Sequence, residues 1–260
     1  MCTLAIYYKV AADCPVVIAA NRDEFLDRPA TDPATLLEHP HVVGGKDLKA
    51  GGTWLGINQH GLVAGLLNRR SENGGNPNAR SRGQLCLDAL RHQSAADAAR
   101  YASQQRGADY NPFNLLIVSR EQAFVAYNRD GSIEVVELTP GLHLLSNLNV
   151  NDFECPKISA SYAKFARLGD DADFVRDPVA RRTDLATRLA DHNTQLDSPS
   201  GRSNALCLHM DGYGTRSSSM IFMSARSPRI DHFFAPGPPC RTPYSIAAVP
   251  RGAALDQTSK

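Results

Sequence analysis

The sequence predicts an α+β fold in which antiparallel sheet is covered by helices. Three observations predict it. Short apolar runs come in pairs joined by turn residues, capped helical segments fall in two blocks between groups of strands, and strand and helix do not alternate as a parallel sheet requires. With 260 residues, 42% hydrophobic and 21% charged, the chain has the composition of an ordinary globule. A single domain over residues 1–240 is expected. A mobile tail over 241–260 is expected after it, because Pro, Gly, Ser and charge dominate beyond Pro236.

The elements follow in order. "TLAIYY" and "PVVIAA" are apolar, β-branched or aromatic runs separated by "KVAADCP", the pattern of a hairpin with a loose turn. "TWLGI" and "LVAGLLN" make a second hairpin, with Gly61 available for the turn. Between the hairpins, a stretch rich in Pro, Gly and charge reads as one long loop, and "GGKDLKAGG" within it reads as a lid or a plain surface loop. Ser81 with Gln84, and Ser94 with Asp97, are spaced as helix caps for "RGQLCLDALRH" and "AADAARYASQQR". "NLLIVS", "QAFVAYN", "SIEVVEL" and "HLLSN" return to strand patterning, with "NRDG" as a turn. Pro156 suits the first turn of a helix through "PKISASYAKFARL", and Asp177 with Pro178 repeats the device for "VARRTDLATRLADHN". "SPSGRS" reads as a loop, and "SMIFMSA" and "IDHFFA" as closing strands.

Bulk properties exclude several function classes. The formal net charge of +1 and the lack of a basic stripe argue against nucleic acid as a partner. No segment approaches the ~20 apolar residues that span a bilayer. "CTLAIYY" is too short for a secretory signal and lacks a basic lead. A cytoplasmic protein with reduced thiols is therefore expected. The six cysteines are spread out without a CxxC pair, the only close histidines are His39 and His41, and no metal site is expected.

The chemistry candidates begin at the second residue. Removal of Met1 would place a thiol and a free α-amine on Cys2. The thiolate is the attacking form of a thiol whose pKa is about 8.5, and an α-amine with a pKa of about 7.7–8.0 is a usable base. Cys2 also reads as a plain strand cysteine. If the first two runs pair antiparallel, the start of one lies beside the end of the other, which brings Cys2 near Arg22 and Asp23 of "AANRDEF". Asn68 and Asn147 each offer an amide to a developing oxyanion or serve as turn formers. Arg216 in "YGTRSSS" is suited to an anionic group or to a surface position, and the single Trp54 reads as strand packing or as a wall of a binding cleft.

"MCTL", "AANRDEFLDRP", "GGKDLKAGGTWLGIN" and "YGTRSSSMIFMS", four ordered blocks from Met1 to about Pro236, resemble the NRDE family, the transport and Golgi organisation 2-like proteins. The resemblance implies an N-terminal-nucleophile-like αββα fold, two stacked antiparallel sheets between helical layers. A more distant likeness is to the penicillin V acylase and bile salt hydrolase group. It implies Cys2 as nucleophile, Asp23 orienting its amine, Asn68 and Asn147 as the two site asparagines and Arg216 as the distal arginine. That group carries its arginine three residues before the aspartate, where this chain has Ala20, and here Arg22 adjoins Asp23. Successive strand residues face opposite ways, so Arg22 and Asp23 are expected on opposite faces. The resemblance implies two functions: hydrolysis of a carbon–nitrogen bond in a small amide with no required cofactor, or carriage of haem or another acyl or lipid-type ligand in the same cleft, with Asn21, Arg22 and Trp54 as binding candidates.

Overall fold

The computed structural model describes residues 2–69, 75–129, 131–193 and 204–251. In chain order the strands are β1 (Thr3–Ala11), β2 (Cys14–Phe25), β3 (Ala34–Glu38), β4 (His41–Lys46), β5 (Thr53–Asn58), β6 (Val63–Asn68), β7 (Phe113–Val118), β8 (Ala123–Arg129), β9 (Ser132–Glu137), β10 (Gly141–Leu145), β11 (His209–Met210), β12 (Tyr213–Met223), β13 (Ile230–Ala235) and β14 (Ser245–Ile246). Helices α1 (Arg82–Ala89) and α2 (Ala95–Ser103) precede β7, and α3 (Pro156–Gly169), α4 (Ala172–Arg176) and α5 (Arg182–Leu189) follow β10. The strands form two antiparallel sheets, one ordered β10-β1-β2-β12-β13-β14 with β11 on β12, the other an unbroken meander from β3 to β9.

Period-two alternation makes the layers. Leu4, Ile6 and Ile18 of the first sheet meet Leu55, Ile57, Leu116 and Val125 of the second, forming the inter-sheet core. The intervening Ala5, Tyr7, Val17 and Ala19 face the opposite way, onto Ile158, Phe165, Phe174 and Leu185 of the α3–α5 layer. Val42, Ala64, Leu115 and Ala126 are covered in the same manner by Leu85, Cys86, Ala98 and Ala102 of α1 and α2. Covering both faces is why these strands read as nearly continuous apolar runs. The αββα sandwich follows.

The caps form as the sequence predicts: Ser81 Oγ accepts from the Gln84 amide at 3.3 Å and Ser94 Oγ from Asp97 at 3.1 Å. Four expectations need correction. The stretch between the first two hairpins holds a hairpin of its own, β3 with β4, turning through Pro40. "NRDEF" continues β2 to Phe25, because β12 pairs with it as far as Tyr213↔Phe25. Asp177 closes α4 instead of opening the next helix, and α5 starts only at Arg182. The tail expected to be mobile is fastened over residues 241–251: β14 pairs with β13, and the Arg251 amide donates to His41 Nδ1 at 2.8 Å. Residues 252–260, the "SPSGRS" loop from its start to Ser203 and Asp130 of the "NRDG" turn lie outside the described residues. Among the described residues no helix is long and apolar enough to cross a membrane.

The fastened C-terminal segment has a pH consequence. Burial pushes the pKa of His232 down to about 4, although a hydrogen bond from its Nδ1 to the Ala248 carbonyl partly opposes this. Between about pH 6.5 and 4 the unfolded chain binds a proton there and the folded chain does not. Stability is therefore full above that window and falls with pH across it, by about 3 kcal/mol in total. Urea unfolding at pH 7.5 and pH 5 should show about 2 kcal/mol of this loss, and His232→Gln should flatten it; an equal slope in the variant would disprove the assignment.

Candidate active site

The site is built where the start of β1 meets the end of β2. The Thr3↔Asn21 pairing places Cys2 next to Arg22. The Cys2 thiol donates to the Asp23 carbonyl oxygen at 3.8 Å, and its own carbonyl accepts from Ser146 Oγ at 3.0 Å. Cys2 opens into a cleft of about 480 Å³ whose inner wall includes Arg22, Trp54 and Asn68. A narrow space of about 20 Å³ continues from Cys2 between the sheets, walled by Leu4, Ala20, Leu55 and Leu66.

Arg22 and Asp23 do face opposite ways: Arg22 borders the space between the sheets with Cys2 and Trp54, and the Asp23 carboxylate turns to Lys157. Arg22 is 7% exposed and its guanidinium lies over the Trp54 ring, 4.2 Å from the centroid. Burial raises the Cys2 pKa and the Asp23 charge adds to the rise, while the hydrogen bond to the Asp23 backbone and the Arg22 charge oppose it. The Asp23 carboxylate points to the helical side. Lys157 Nζ of α3 lies 2.6 Å from it, with the two side chains 1% and 0% exposed, and Thr215 Oγ1 donates to it at 2.7 Å.

Trp54 can stack there because Gly45 has no side chain; a methyl group at position 45 would overlap the indole. Gly45→Ala should displace the ring, cost about 1–3 kcal/mol of stability and weaken the hold on Arg22. Cys2 alkylation should then slow roughly tenfold, the effect of one pKa unit. An unchanged alkylation rate would show that the stack does not govern the thiol.

The other candidates are less close. Asn68 ends β6, is exposed and lines the cleft. Asn147 is buried, accepts from the Cys155 thiol at 3.3 Å and is not a lining residue. Arg216 occupies a bulge in β12 opposite Arg22 and Asp23, with its Nε enclosed and without a hydrogen-bond partner, and it is not a lining residue either. Asn21 borders the narrow space between the sheets with its strand, and its side chain turns away from it. Its carboxamide faces the helices, donating to the Leu189 and Leu206 carbonyls and accepting from Ser218 Oγ, because it shares the face of Asp23.

The profile of the family "Transport and Golgi organisation 2" matches residues 1–232. The chain belongs to this family. A Bos taurus relative, "Transport and Golgi organization protein 2 homolog", is 32% identical over 235 residues, covering 81% of this chain and 82% of the relative. A Mus musculus homologue is 30% identical over 237 residues with the same coverage. Among solved structures, the Caenorhabditis elegans N-acylethanolamine-hydrolyzing acid amidase ortholog superposes with a TM-score of 0.53 at 13% identity, covering 84% of this chain and 92% of that one. The C2A mutant of conjugated bile acid hydrolase from Clostridium perfringens gives 0.51 at 10% identity over the whole of both chains. At such identities the likeness is one of fold, the N-terminal-nucleophile hydrolase sandwich.

In this family member the cleft and the buried layer behind it hold residues that the motifs do not mark. Lys157 gives no signal in the sequence, since it is one lysine on a helix. The mouth carries Arg28, Lys49, Arg80 and Arg82 against Glu24 and Asp47. Asp47 organises that rim: its carboxylate accepts from the Lys49 and Ala50 amides and from Arg28 Nε. The "GGKDLKAGG" segment is thus a braced wall, and the missed signal was Asp47, two residues before an amide it can cap.

Proposed function

We propose that the chain is an N-terminal-cysteine hydrolase acting on a carbon–nitrogen bond of a small amide. The observation that carries this is the Cys2 thiol opening into a cleft beside the buried Arg22, in a sandwich shared with amidases. After Met1 removal the α-amine takes the thiol proton as Sγ attacks the carbonyl carbon. Asn68 Nδ2 donates to the resulting oxyanion. The amine then protonates the leaving nitrogen, the C–N bond breaks, and a thioester remains. Water, deprotonated by the same amine, attacks the thioester and returns the thiolate. Arg22 favours the thiolate, and Asp23, held by Lys157 and Thr215, orients the amine end of β1. Asn147 and Arg216, outside the cleft wall, act on the strand ends rather than on substrate. No cofactor enters these steps, and the compartment proposed is the cytoplasm, where thiols stay reduced. Intact mass of protein from its native cell tests the first requirement: Met1 should be absent, and a retained Met1 would end the proposal.

A second reading is favoured by the four cations at the mouth. The cleft would carry haem or another amphipathic anion, with Arg22 or the mouth arginines pairing with carboxylates and Cys2, the only Cys or His among the lining residues, available as axial ligand. Haemin titration separates the two: a saturable Soret shift lost in Cys2→Ala supports carriage, and a linear featureless titration excludes it.

A further inference from the structure

Away from the cleft, the fold gathers four potential ligands that the sequence scatters. His192 follows α5, Cys207 and His209 flank the entry to β11, and Cys240 lies in the connection from β13 to β14. One ligand atom from each lies within 4.8 Å of all the others. Cys207 Sγ is 3.6 Å from Cys240 Sγ and 3.7 Å from His209 Nε2, and His209 Nε2 is 3.2 Å from Cys240 Sγ. Bonds of about 2.3 Å to sulfur and about 2.0–2.1 Å to nitrogen in a tetrahedron imply S···S edges of about 3.8 Å and S···N edges of about 3.5 Å. The three observed separations, 3.6 Å for S···S and 3.7 and 3.2 Å for S···N, each lie within about 0.3 Å of those edges. A set of two thiolates and two imidazoles suits zinc.

The surroundings support ligation. His192 Nδ1 lies 3.1 Å from the Cys207 carbonyl oxygen. A carbonyl only accepts, so in the neutral ring this nitrogen carries the proton and Nε2 keeps its lone pair, the orienting contact common around metal-bound histidines. The Leu206 and Cys207 amides both donate to the Asp191 carbonyl, which holds the strand entry against the end of α5. Both histidines are exposed, giving an ion a path in.

We propose that His192, Cys207, His209 and Cys240 form a closed, four-ligand zinc site that ties the β13–β14 connection to the end of α5. Zinc enters as the Cys207 and Cys240 thiols release their two protons to solvent; two thiolates then balance the ion's charge and the imidazoles stay neutral. With four protein ligands the site has no open position, so its role is to brace the fold rather than to activate water.

The test uses tag-free, reduced full-length protein and cobalt(II) as the optical probe. One equivalent should bind with thiolate-to-cobalt charge transfer and the intense visible bands of a tetrahedral ion. Cys240→Ser and His209→Ala should each weaken binding by more than about tenfold, since loss of even an outer-shell partner costs 10- to 100-fold; His60→Ala, an exposed histidine elsewhere, should bind as the parent does. Zinc should raise the parent's melting temperature. The proposal is overturned if the reduced parent shows no charge-transfer band, or if a Cys207→Ser/Cys240→Ser variant binds cobalt equally. It is overturned too if the parent, purified under reductant, has a mass two hydrogens low, meaning that the cysteines form a disulfide instead.

Discussion

Cys2→Ala should abolish amide turnover, by about 10⁴-fold or more, the scale on which removal of a catalytic nucleophile acts. Stability should change little, because Cys2 is half-buried and the backbone contact made by its carbonyl with Ser146 survives the substitution. In the parent, Cys2, which opens into the cleft, should also alkylate faster than the buried Cys14 and Cys86. Burial raises the pKa of Cys14 to about 12, and Cys86 is pushed up further still, so neither offers thiolate near neutrality. The measurement is hydrolysis of a panel of N-acyl amides, paired with a urea unfolding curve. A folded Cys2→Ala protein that turns over substrate at the parental rate would remove the nucleophile from the scheme.

Lys157→Met should be the most destabilising single change at the site. It removes the ammonium 2.6 Å from the Asp23 carboxylate in a place where the two side chains are 1% and 0% exposed. Breaking a buried pair from one side costs about 3–5 kcal/mol, because the remaining charge stays desolvated. Adding Asp23→Asn to Lys157→Met should recover much of that loss, while leaving the variant inactive if Asp23 orients the amine. Urea unfolding of the parent, the single variant and the double variant reads both statements. A loss of no more than about 1 kcal/mol, the range of an exposed pair, would mean that the pair contributes little to holding α3 on the sheet.

Local patterning made much of this fold legible. The hairpins β1–β2 and β5–β6 show in alternating or continuous apolar runs with turn residues between them, and Ser81 and Ser94 announce their helices because a cap is a contact across three residues. The β3–β4 hairpin was hidden: "ATLLEHPHVVGGK" is short, Pro-interrupted and partly polar, and it becomes sheet because β5 supplies an edge for β4. The strand character of "NRDEF" was hidden for a similar reason. Its charged residues are tolerated in a strand because Lys157, Thr215 and Trp54 arrive from distant segments to satisfy them.

The sequence by itself determined the α+β class and the candidacy of Cys2, Asp23 and Asn68, which rest on residue type and short spacing, and its family resemblance implied the αββα sandwich. Tertiary structure alone decided that Arg22 lies over Trp54 beside the thiol while the Asp23 carboxylate is held by Lys157 and Thr215. It alone turned Asn21 toward the helices and gathered two cysteines and two histidines from three separate segments. The physical reason is common to all three. The face a strand residue presents, and the neighbours it meets there, depend on pairing with strands and helices up to almost 200 residues away, and no local pattern encodes that.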